Sequence, residues 1–163
     1  MKRRELFTSL ASGFTGDSEA KSKIMLRPPY NNNEELFYNA CKQCEGKCST
    51  ACEEEIIKIA EDKTPYLSFD KSGCTFCDAC VSACEFGVLI MEAKSNINAN
   101  ITLSTSSCLA WNDVICFSCK EPCLDNAIVF DGLFKPIIDM SKCTKCGFCV
   151  SRCPSLAIEM HEL

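Results

Sequence analysis

The sequence predicts an α+β fold, two tandem units of short helices and β-hairpins stapled from within by cysteine-rich loops. Three observations predict it. Sixteen of the 163 residues are cysteine, and they fall into four quartets. The chain repeats itself around the second and fourth quartets. Each quartet also leads, a few residues on, into a short apolar run suited to a strand.

The quartets are Cys41, Cys44, Cys48 and Cys52; Cys74, Cys77, Cys80 and Cys84; Cys108, Cys116, Cys119 and Cys123; and Cys143, Cys146, Cys149 and Cys153. The repeat is clearest between residues 70–84 (DKSGCTFCDACVSAC) and 139–153 (DMSKCTKCGFCVSRC), which agree at nine of fifteen positions. A repeat of this kind implies duplicated structural units.

The elements follow in chain order. Residues 1–33 read as a basic N-terminal extension, with room for one short helix over Arg4 to Leu10. Residues 34–93 form the first unit. Its first quartet leads into a strand over Ile56, Ile57, Lys58 and Ile59, and Tyr66, Leu67 and Phe69 supply the return strand. The second quartet leads into a strand over Val88, Leu89, Ile90 and Met91. Residues 94–107 are rich in Ser, Asn and Thr and read as a linker. Residues 104–163 form the second unit. Strands are expected over Ala127 to Phe130, Pro136 to Ile138 and Ala157 to Met160. Asp131-Gly132 marks the hairpin turn. Short helices are expected near the third and fourth cysteines of each quartet, as in Cys80 to Cys84.

Cysteine at about a tenth of a chain suggests a disulfide scaffold when the protein is small and secreted. No credible secretory segment precedes these cysteines, and three within seven residues suit a metal-binding loop better. Zinc sites join two separated C-x2-C pairs, whereas each quartet here has its third and fourth cysteines close by. The second and fourth quartets have the spacing C-x2-C-x2-C-x3-C, and Pro154 follows the last. That is the run of bacterial two-cluster ferredoxins. Sixteen thiolates suffice for four [4Fe-4S] clusters, so the units are read as ferredoxin-like and cluster-stabilised. The apo-protein should be largely unfolded.

In a two-cluster ferredoxin the fourth cysteine of one quartet ligates the cluster of the other. Sequential pairing gives four sites. Cys41, Cys44 and Cys48 join Cys84; Cys74, Cys77 and Cys80 join Cys52. Cys108, Cys116 and Cys119 join Cys153; Cys143, Cys146 and Cys149 join Cys123. Nested pairing, first quartet with fourth and second with third, is the alternative. The repeat favours the sequential form. Two quartets are irregular: three residues separate Cys44 from Cys48, and seven separate Cys108 from Cys116. Altered loops change which backbone N–H groups face the cluster sulfurs, and those bonds help set potential. Glu53 and Glu85, beside Cys52 and Cys84, would lower potentials.

Formal net charge is −5 with thiols neutral. Four oxidised clusters with their thiolates would take it to about −13. Residues 1–30 instead carry +3, from Lys2, Arg3, Arg4, Lys21, Lys23 and Arg27 against Glu5, Asp17 and Glu19. An acidic body argues against nucleic acid as a partner. No apolar run approaches a membrane span.

The third quartet reads Cys108-Leu-Ala-Trp-Asn-Asp-Val-Ile-Cys116-Phe-Ser-Cys119-Lys-Glu-Pro-Cys123. Its wide gap, opened by Cys-Leu-Ala and an aromatic, resembles the NapF family, the ferredoxin-type proteins of periplasmic nitrate reductase systems. Arg27-Pro28-Pro29-Tyr30 and the paired Arg3 and Arg4 resemble that family too. The extra residue in the first quartet departs from it. The resemblance implies a cytoplasmic protein with four [4Fe-4S] clusters and no enzyme activity of its own. It also implies a partner, the molybdenum catalytic subunit of periplasmic nitrate reductase, met before export. The role would be maturation of that subunit or electron supply to it. An electron-relay subunit between a quinol-oxidising partner and the reductase is the alternative. Either way, redox partner proteins are expected.

Lys2-Arg3-Arg4-Glu5-Leu6-Phe7 looks something like a twin-arginine export motif. Thr8 to Gly16 is too polar for the apolar stretch that should follow. Arg3 and Arg4 are therefore weak candidates for partner contact. There is no dinucleotide fingerprint, P-loop or nucleophile elbow. The single histidine, His161, reads as a surface residue. Trp111, Phe76, Phe117 and Phe148 lie in or between the ligand loops, where they would shield clusters from water.

Overall fold

The computed structural model describes residues 25–163. Arg3, Arg4 and the helix expected over Arg4 to Leu10 lie outside them. The described chain is a small mixture of helix and strand with no closed barrel. Among the described residues no helix is long and apolar enough to cross a membrane.

The first half opens with α1 (Glu35–Ala40), which runs into a 3-10 turn at Cys41–Gln43. Next come α2 (Lys47–Thr50), β1 (Ile57–Ile59), β2 (Pro65–Leu67) and α3 (Ala79–Ser82). β1 and β2 pair antiparallel, with Ile57 opposite Leu67 and Ile59 opposite Pro65. Their connection is closed by Asp62, whose Oδ1 accepts from the Thr64 N–H at 2.9 Å and its hydroxyl at 2.7 Å.

The second half holds β3 (Asn100–Leu103), β4 (Ile128–Asp131), β5 (Phe134–Ile138), α4 (Phe148–Ser151) and β6 (Ile158–His161). β4 and β5 form the expected hairpin, turned at Gly132 with φ +62°, where glycine carries no penalty. β3 pairs antiparallel with β6, Ile101 opposite Met160.

Helices α2, α3 and α4 hold only four residues each, far too few to persist alone. Each opens on a left-handed residue, Gly46, Asp78 or Gly147, and carries a third cysteine, Cys48, Cys80 or Cys149. The third quartet breaks this pattern. Phe117 to Glu121 stay a turn, with Lys120 and Glu121 both donating to the Phe117 carbonyl.

Two further expectations differ from what is observed. Val88 to Met91 form no strand. Val88 and Leu89 are buried, Ile90 N–H donates to the Tyr30 carbonyl at 2.8 Å, and Met91–Ala93 turn into a 3-10 helix. The facing segment contains Pro28 and Pro29, which have no N–H, so a ladder cannot extend there. The stretch read as a linker contains β3. Its apolar residues alternate, with Ile97, Ala99 and Ile101 buried and Asn98, Asn100 and Thr102 exposed. The polar partners of that alternation disguise a half-buried strand.

The core is divided. Tyr30, Phe37, Ile56, Ile57, Leu67, Phe69, Val88 and Leu89 bury the first half. Ile101, Ile128 and Ile158 centre the second. Val150 and Met160 pack against both, so the halves meet through α4 and β6.

Candidate metal centres

All sixteen cysteines are free thiols, and they surround four cavities. One cavity is walled by Cys41, Cys44, Cys48 and Cys84. A second has Cys52, Cys74, Cys77 and Cys80. A third has Cys108, Cys116, Cys119 and Cys153, and a fourth Cys123, Cys143, Cys146 and Cys149. In each, three cysteines come from one quartet and one crosses from its neighbour in sequence. Among the described residues no three Cys, His, Asp or Glu side chains converge closely enough to grip a single ion.

Left-handed backbone shapes these loops. The third residue after each fourth cysteine has positive φ: Glu55 (+54°), Gly87 (+63°), Asn126 (+49°) and Leu156 (+52°). The reversal turns the following N–H groups back toward the sulfur. Leu89 N–H donates to Cys84 Sγ at 3.4 Å, Ala127 to Cys123 at 3.3 Å and Ala157 to Cys153 at 3.2 Å. The extra residue of the first quartet is absorbed ahead of the helix. The left-handed residue stays two before the third cysteine, as Gly46, Asp78 and Gly147 do for Cys48, Cys80 and Cys149, so Glu45 is the addition.

The seven-residue gap of the third quartet is folded. Leu109–Asn112 form a 3-10 turn with Ala110 buried. The Trp111 indole N–H donates to the Pro136 carbonyl on β5 at 3.1 Å, and Asn112 Nδ2 donates to the Cys108 carbonyl at 2.8 Å. Trp111 packs against the buried cluster of Cys108, Ala110 and Ala157, as Cys116 and Cys153 also do. Phe117 instead packs against Phe130 at a tilt of 50°, ring centroids 4.9 Å apart.

Burial works against charge at these thiols. It pushes Cys48 up to about 11, with Cys41, Cys44 and Cys84 adding to it. Burial likewise carries Cys74 and Cys119 to about 11 and Cys80 and Cys149 to about 12. Cys153 goes the other way. Burial opposes ionisation, but the N–H groups of Ala157, Ser155 and Ile158 and the Ser155 hydroxyl together outweigh it. Thiols that burial holds protonated in this way become thiolates only when a cation-rich group compensates them. The donor set therefore fits an iron–sulfur cluster, which supplies reversible one-electron redox chemistry when bound.

A 4Fe-4S dicluster domain family matches residues 40–88, spanning the first two quartets. A 4Fe-4S binding domain family matches residues 136–159, around the fourth. The ferredoxin-type protein NapF of Escherichia coli K12 is 31% identical over 147 residues, 88% of each chain. The chain belongs to the NapF family of ferredoxin-type proteins. NapF of Haemophilus influenzae is also 31% identical, over 90% of this chain and 85% of its own length. The ferredoxin-type protein NapG of E. coli K12 is 29% identical, over 88% of this chain and 72% of its own. The resemblance carried by the third quartet and the Arg27-Pro28-Pro29-Tyr30 lead-in is thus borne out, although neither domain family covers Cys108 to Cys123.

In this NapF-family chain the lead-in is a clamp. Arg27 donates to the Pro65 carbonyl at 2.7 Å, the Thr64 hydroxyl at 2.9 Å and the Tyr38 hydroxyl at 2.9 Å. Its guanidinium lies over the Phe37 and Tyr38 rings. Buried Tyr30 lines the second cavity and donates to Asp78, which Lys94 also holds at 3.0 Å. Those two partners keep the Asp78 carboxyl below its usual range. Sequence reasoning did not single out Asp78, Thr64 or Lys94, because each earns its place through partners more than fifteen residues away. Of the two flanking acids, Glu85 is paired with Lys47 at 2.5 Å, and Glu53 lines the second cavity. His161 is exposed, 3.1 Å from Glu159.

Proposed function

We propose that the chain is an accessory protein carrying four [4Fe-4S] clusters in two tandem two-cluster units, with no enzyme activity of its own. It acts in the cytoplasm on the molybdenum catalytic subunit of periplasmic nitrate reductase before export, in maturation, in electron supply or both. The observation that carries the reading is the grouping of sixteen thiols around four cavities, each with one crossing cysteine. A tetrahedral zinc would draw four sulfurs to about 2.3 Å from one point. Thiols ringing a cavity suit a cubane better. The partner rests on the NapF likeness, which spans 88% of both chains.

The second reading is an electron relay between a quinol-oxidising partner and the reductase, since the same four cavities would serve either role. The experiment combines anaerobic purification with capture and deletion. Iron and sulfide near four clusters per chain, capture of the immature catalytic subunit, and poor reductase assembly on deletion support the proposal. A fully assembled reductase with slowed quinol-dependent turnover supports the relay. A colourless protein without sulfide ends both.

A further inference from the structure

The four sites touch in an order that differs from their order along the chain. Cys48 of the first and Cys80 of the second are buried in one apolar cluster. Cys149 of the fourth and Cys119 of the third share another. The halves join between the second and fourth sites. There the Cys74 N–H donates to the Cys146 carbonyl at 2.6 Å, one candidate ligand bonded directly to another. The remaining thiols of the third site, Cys108, Cys116 and Cys153, pack with Ala110, Ala157, Leu103, Trp111 and Phe130, all from the second half.

The sequence repeat fails where this junction needs it to. Gly73 stands where the second copy has Lys142, Gly147 where the first has Asp78, and Phe148 where the first has Ala79. A Cβ on Gly73 would lie 2.5 Å from the Phe148 backbone nitrogen. A Cβ on Gly147 would enter the Phe69 ring. Backbone cannot yield as a flexible side-chain tip can, so glycine at 73 permits the close approach. Three of the six differences between the two fifteen-residue copies therefore build the contact between them.

We infer that the four sites form one line in the order first, second, fourth, third, with the Cys74–Cys146 backbone bond as its central link. The inference rests on the four-cluster reading above. One electron passes per step, and no atom or proton moves. A reduced one-electron protein donor docks at one end of the line and an oxidised one-electron protein acceptor at the other. The residues from Cys74 Sγ through its N–H to the Cys146 carbonyl and Sγ give the middle step a bonded path. The first and third sites, each built on three cysteines of an irregular quartet, are the ends.

The test is magnetic, on the full chain reduced with dithionite. Cys41→Ala with Cys108→Ala leaves the second and fourth sites; Cys41→Ala with Cys143→Ala leaves the second and third. Pulsed electron paramagnetic resonance should find the stronger dipolar coupling in the first combination. Equal or stronger coupling in the second combination overturns the order. If either combination fails to retain two clusters by iron and sulfide counting, Gly73→Lys with all ligands intact decides. Full loading with weakened inter-cluster coupling, while Lys142→Gly leaves coupling unchanged, supports the line; coupling unchanged in Gly73→Lys, or iron loss on that substitution without loss of coupling among the clusters that remain, refutes it. Absence of iron and sulfide from the parent protein would instead strike the four-cluster reading itself.

Discussion

Cys84 belongs to the second quartet by sequence and to the first cavity by position. The distinction yields a test by non-additivity, since residues acting as one unit do not add. Cys41→Ala should remove one cluster, about a quarter of the iron. Adding Cys84→Ala should remove no more, whereas adding Cys52→Ala should bring the loss to about half. Iron counting separates the outcomes, and a half loss in the Cys41/Cys84 pair would point to nested pairing. Tyr30 poses a different question at the same scale. Its hydroxyl is buried and donates to Asp78, a left-handed residue at the start of α3. Tyr30→Phe should lower stability by about 1.5–3 kcal/mol, the net worth of a hydrogen bond to a charged group. Thermal melting of the loaded protein measures it. A shift in melting no larger than that of the half-buried variant Tyr66→Phe would mean the bond contributes nothing.

At the scale of elements, the loop of the third quartet is held by Trp111, whose indole N–H reaches Pro136 on β5. Trp111→Phe removes that bond and leaves the carbonyl unpaired, a cost of about 1–3 kcal/mol where the group is buried. The expected result is earlier loss of iron from the third site under mild chelation, with the other three sites unchanged. Uniform release from all four would show that Trp111 serves the whole fold instead. Elements were unevenly legible in the sequence. Strands β1, β2, β4, β5 and β6 announced themselves as apolar runs after a quartet or before the next, because local pattern and long-range pairing agree there. β3 was hidden, since Asn98, Asn100 and Thr102 occupy its solvent face and gave the stretch a linker's composition. The strand expected at Val88 to Met91 failed for the opposite reason. Its own pattern is right, but the segment facing it carries two prolines. The four cavities followed from cysteine spacing and the crossing rule. The Arg27 and Tyr30 clamps did not, because sequence order says nothing of which loop lies 37 or 48 residues away.

At the scale of the molecule, the apolar core is too small and too divided to explain the fold unaided. Cys48, Cys80, Cys108, Cys119 and Cys149 are themselves among its buried residues, so the cavities adjoin the packing at many points. Three helices of four residues and strands of three to five cannot persist without that packing. A chain whose ligands are assembled only in the folded state draws folding free energy from the bound group. Removing iron also restores thiols that burial holds neutral, leaving four unfilled cavities whose linings lose their contact atoms. Anaerobic chelation should therefore abolish the cooperative thermal transition and most of the ordered circular dichroism signal in the far ultraviolet. Reconstitution with iron and sulfide should restore both. The β4–β5 hairpin, a local pairing closed by its own Gly132 turn, is the place where residual order should persist, visible as the slowest amide exchange in the apo-protein. An apo-protein that still melts cooperatively near the temperature of the loaded form would mean that the divided core suffices, and that the clusters add function to a fold already made.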